Sequence, residues 1–135
     1  MEKPAFDDVV AALVEKDARY DREAYAFVRD SLMLVLAEAR KEHGGPDRQV
    51  SGPELVDGFR RLALRRFGPM AGTVLETWGL HATRDAGVIV FLLIEAGVFG
   101  RAPEDKLEDF EDLFDFQEAF VAPFLPRSGD AARKG

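Results

Sequence analysis

VIVFLLIEAGVFG, residues 88–100, is the most apolar stretch of the chain and holds one acid, Glu95. The uninterrupted apolar run, Ala86 to Ile94, is nine residues long, roughly half of the ~20 that span a bilayer. It is too short to cross a membrane. At about 100 degrees per residue, Val88 through Ile94 point in every direction, the pattern of a helix enclosed by other helices. This predicts a buried central fifth helix over residues 84–96, with Thr83 as its N-cap and Asp85 favourably placed in its first turn.

The flanking sequence supplies the helices that enclose it. Phe6, Val9, Val10, Leu13 and Val14 keep the spacing of an amphipathic helix ending near Lys16. Asp21 is the expected N-cap of a second helix whose face is Tyr25, Val28, Leu32, Val35, Leu36 and Ala39, widened by Phe27 and Leu34. HGGP, residues 43–46, stops it. Ser51 and Glu54 stand at capping-box spacing and open a third helix. FGPM, residues 67–70, ends that helix and begins a fourth, which Gly79 closes. A short sixth helix is expected after a second capping-box pair, Asp115 and Glu118. Residues 127–135 hold no apolar side chain beyond alanine and are expected to fray. Val98 and Phe99 are the only candidates for local strand pairing. The expectation is all-α: a single compact helical domain of about six helices over residues 1–126.

Composition narrows the function. The 135 residues contain no cysteine, which removes disulfides, thiolate zinc sites, iron–sulfur clusters and cysteine nucleophiles. The N-terminus meets acids at once and lacks a signal-peptide core, so a cytoplasmic location is expected. Net charge is −7, and residues 101–126 set two bases against eight acids. Such a chain repels phosphate backbones unless it presents a local basic face.

Four arginines in FRRLALRRFG, residues 59–68, are the candidates for that face. Only Arg61 and Arg65 share a side of the wheel, and Arg66 falls in the apolar sector, where it is expected to snorkel over the core or pair with a carboxylate such as Glu95. Helices three to five have helix-turn-helix spacing, but the would-be recognition helix lacks the Arg, Asn or Gln that read base edges. EDFEDLFD, residues 108–115, lacks the alternating ligands and central glycine of a calcium loop. Its plain reading is a solvated acidic face over inward aromatics. Its sharper one is a docking segment in which Phe110, Phe114 and Phe116 enter a partner. Gly87 predicts a close helix contact, with a ligand gap as the alternative. His43 and His81 lie in turns, and no catalytic, phosphate-binding or dinucleotide motif occurs. No catalytic residue, metal or cofactor is implied.

DARYDREAYAFV (17–28), VSGPEL (50–55), FGPMAGTVLETWGL (67–80), TRDAGVIVF (83–91) and DFQEAF (115–120) occur in that order. With these marks the chain resembles an uncharacterised family of small bacterial proteins largely restricted to planctomycetes and verrucomicrobia. The resemblance implies a bacterial protein built as one unit and brings no activity with it. Its polar and amphipathic landmarks are Arg19, Tyr20, Tyr25, Trp78 and Asp85. Three function classes follow: a protein-interaction or scaffold module with a protein partner, a nucleic-acid-associated regulator, and a small-ligand binder or enzyme.

Overall fold

Five α-helices form in the computed structural model, which describes residues 5–43, 50–99 and 106–125. They are α1 (Phe6–Lys16), α2 (Arg22–His43), α3 (Gly52–Phe67), α4 (Ala71–Thr77) and α5 (Thr83–Glu95). No strand occurs among the described residues, and none of their helices is long and apolar enough to cross a membrane. Residues 44–46 of the HGGP stop and the expected frayed tail, 127–135, lie outside the described residues.

Most boundaries follow local chemistry. Asp21 accepts from the amide of Glu23 (2.9 Å) at the start of α2. The capping box of α3 is complete: Ser51 Oγ accepts from Glu54 N (3.2 Å) and Glu54 accepts from Ser51 N (3.1 Å). Gly79 adopts φ 90°, and a Cβ there would overlap the carbonyl of Arg19. Only glycine serves both demands.

Helices α2 and α3 pack closely where Gly58 meets the Val35 side chain. Phe27 then sets its ring against Phe59 (5.1 Å), Phe67 (5.6 Å) and Trp78 (5.8 Å). Ile89 and Leu93 of α5 are fully buried in this core, with Ala86, Gly87 and Val90 beside them. Helix α5 packs on α2, α3 and a 3-10 turn at Leu107–Phe110.

Several expectations change. The sixth helix is replaced by that 3-10 turn, a π-helical turn at Gln117–Val121 and a 3-10 turn at Ala122–Phe124. Asp115 does accept from Glu118 N (3.2 Å), but the aromatic contacts that follow hold the chain in an irregular path. Thr83 is not the cap of α5. Asp85 takes that work by accepting from His81 N (2.8 Å) and Ala82 N (3.1 Å). Gly87 borders neither a helix nor a ligand gap: a Cβ there would lie 2.5 Å from Cγ of Phe110, so an aromatic ring fills the space. Arg66 pairs with Asp30 (2.9 Å) rather than Glu95, which is exposed. Val98 and Phe99 do not pair as a strand. Their amides turn back to the carbonyl of Leu93 (3.0 and 3.3 Å) beside Gly97 at φ 84°, closing the helix.

Candidate docking groove

The acidic-aromatic segment is pinned at one end. Phe110, 1 % exposed, lies on Gly87 and meets Phe91 edge-on at 6.0 Å. The buried Thr83 hydroxyl donates to the carbonyl of Phe110 (2.5 Å) and accepts from Leu113 N (3.3 Å). Beyond this anchor, Asp112 takes φ 50° and turns the chain so that Phe114 and Phe116 stack at 5.8 Å. Both pack on the buried ring of Phe120, at 5.7 and 5.0 Å.

Two adjoining hollows open along this stacked pair. One, of about 170 Å³, lies between α4 and the π-helical turn and is lined by Gly72, Glu76, Leu80, His81, Phe116 and Val121 among others. The other, of about 230 Å³, is lined by His81, Ala82, Asp112, Phe114, Asp115 and Phe116. His81 and Phe116 form their common wall. The result is a groove with an aromatic and aliphatic floor and three acids at its edge, Glu76, Asp112 and Asp115. None of the three is in an ion pair with another described residue.

Of the three aromatics singled out from sequence, Phe114 and Phe116 wall this groove, whereas Phe110 is buried against Gly87 and Phe91. Sequence reasoning missed His81, Leu80 and Gly72 as groove residues. The polar position of His81 in a short link was visible, but its neighbours come from segments about 30 residues away in the chain.

The landmark residues support the groove from behind. Tyr20 donates its hydroxyl to Asp85 (2.6 Å), the carboxylate that holds the His81 and Ala82 amides. Burial, then the Asp85 bond, push the Tyr20 phenol well above its ordinary value. Tyr25 meets Tyr20 edge-on at 6.3 Å; its buried hydroxyl has no hydrogen-bond partner among the described residues, and burial raises its pKa. Arg19 folds back on Asp17 (2.7 Å) and lies over the Tyr20 ring at 5.3 Å. The side-chain bond from Arg19 holds the Asp17 carboxyl below the usual range. The carbonyl of Trp78 accepts from Asp21 N (3.0 Å). Together these contacts fix the start of α2 against the α4–α5 link.

The basic face does not assemble. Arg61 makes a bidentate pair with Glu38 (2.6 and 2.8 Å) and a third bond to Asp57 (2.9 Å). Arg60 also bonds Asp57 (2.9 Å). Arg65 is exposed, leaving Arg61 and Arg65 with one uncommitted guanidinium at most. Among the described residues, no group of three His, Asp or Glu side chains could hold a metal ion.

No match was found among protein-family models, curated proteins or solved structures.

Proposed function

We propose that this chain is a protein-interaction module that receives its partner along the Phe114–Phe116 face. The observation that carries this reading is the groove itself: half-buried aromatics on its floor and, on its rim, carboxylates with no ion-pair partner among the described residues. Aromatics supply contact area, while rim charges steer encounter and reject partners of like charge. Leu113, Phe124 and Leu125 are more than a third exposed on the same segment, which extends the apolar surface. The commitment of Arg61, Arg60 and Arg66 to carboxylates favours this reading over a nucleic-acid regulator. Lack of cysteine and the family resemblance fit a bacterial cytoplasmic setting.

Panning a displayed peptide library against the folded chain tests the reading. Sequences should be enriched whose binding is lost in Phe114→Ala, with helicity retained by circular dichroism. No enrichment, or enrichment indifferent to Phe114→Ala and to a Phe116→Leu variant, overturns it.

A further inference from the structure

We infer that the groove takes a linear basic peptide segment in which one apolar side chain stands two positions from a lysine or arginine. This inference rests on the interaction reading and names the partner chemistry of the same face.

The two hollows have different linings. The first is floored by Leu80, Phe116 and Val121, and Gly72 withholds a side chain whose Cβ would sit 3.2 Å from Val121 Cγ2. Thr73, Glu76, His81 and Gln117 complete its walls, and at about 170 Å³ it has room for one side chain whose apolar part meets the floor. The second brings Asp112 and Asp115 into one lining with Phe114 and Phe116, and carboxylates in a partly apolar hollow favour an ammonium or guanidinium. Among the described residues no lysine or arginine joins His81 on the walls of either hollow, and the acids there favour a cation over an anion. Because His81 and Phe116 are shared, the two subsites adjoin. In an extended peptide, residues i and i+2 point to the same side about 7 Å apart, so that pair of side chains is the one we assign to adjoining subsites.

The test uses the full chain and fluorescein-labelled synthetic peptides read by anisotropy. A peptide with leucine two positions from arginine should bind, and added salt should weaken it. Glutamate in place of the arginine, or serine in place of the leucine, should each reduce binding. An Asp112→Asn/Asp115→Asn chain should bind about tenfold more weakly, two partly screened pairs having been lost. Asparagine suits both positions, since it tolerates positive φ and caps as well as aspartate. Equal binding of the glutamate peptide, or no change in the Asn chain, overturns the inference. Panned sequences that need Phe114 but carry no bases would keep the interaction module and reject the basic peptide; nothing dependent on Phe114 would reject both. The chain's own RSGDAARKG, residues 127–135, is also basic, and the test separates it from a peptide in trans. Binding that appears only in full-length Arg127→Gln/Arg133→Gln/Lys134→Gln would assign the groove to that segment and overturn the inference.

Discussion

Tyr20 and Tyr25 are both buried and differ in one respect: the Tyr20 hydroxyl has an ionised partner, Asp85, whereas that of Tyr25 has none among the described residues. Tyr20→Phe is expected to cost roughly 1.5–3 kcal/mol, the range for a hydrogen bond to a charged group. Tyr25→Phe should leave stability unchanged or raise it, because an unpaired buried hydroxyl costs free energy. Urea denaturation of the two variants decides the contrast, and a Tyr25→Phe loss as large as that of Tyr20→Phe would refute it. The raised Tyr20 pKa also has a sign. Its neutral form is favoured by folding, so its stabilisation holds below the ordinary phenol value of about 10 and is lost as pH rises beyond it. Tyr20→Phe should therefore flatten the alkaline limb. Both tyrosines and Asp85 stood out in the sequence, but their pairing did not, because it joins positions 65 residues apart. Arg66 and Glu95 show the same limit. Charge and wheel position suggested a pair, while the packing of α2 on α3 brought Asp30 to Arg66 instead.

At the scale of elements, α5 and the acidic segment are one unit joined by Gly87, Phe110 and Thr83. Gly87→Ala would force a Cβ into a ring held by its neighbours, so an overpacking loss of about 1–3 kcal/mol is expected. Hydrogen exchange should show amides of residues 107–121 released before those of α2 and α3. Uniform loss across all helices would mean that α5 and the segment are not a unit apart from α2 and α3. Helix starts were legible because a cap acts over a few residues, as Ser51 and Glu54 show. The 3-10 and π turns were not, because their geometry is held by contacts of Phe110 with Gly87 and Phe91 and of Phe120 with Phe59, distant in sequence. Thr83 was misread for a related reason: a helix-capping threonine and one that ties two segments look alike in sequence.

Across the whole molecule, apolar periodicity revealed the helices and the interior position of α5, while the groove stayed hidden because it is assembled from α4, the 79–82 link and residues 112–121. The α2–α3 contact carries the clearest electrostatic test. Arg61 bridges Glu38 on α2 and Asp57 on its own helix. Its side-chain bonds hold the Glu38 carboxyl below the ordinary range; at Asp57, burial pushes upward but the bonds from Arg60 and Arg61 prevail and lower it. A carboxylate depressed by folding contributes stability that is present above its unfolded value, about 4, and is lost as pH falls through the folded one. Acidification also relieves the net repulsion of a chain at −7, so the wild-type curve alone mixes opposing terms. Comparison with Arg61→Gln removes most of the shared background. The gap between the two proteins should be roughly 1 kcal/mol at neutral pH, given pairs that are about a third exposed and partly screened. It should shrink toward zero as both carboxylates protonate. Thermal melts across pH decide it: a gap that stays constant would show that Arg61 acts through the packing of its aliphatic stem, and that the α2–α3 contact owes nothing to its charge.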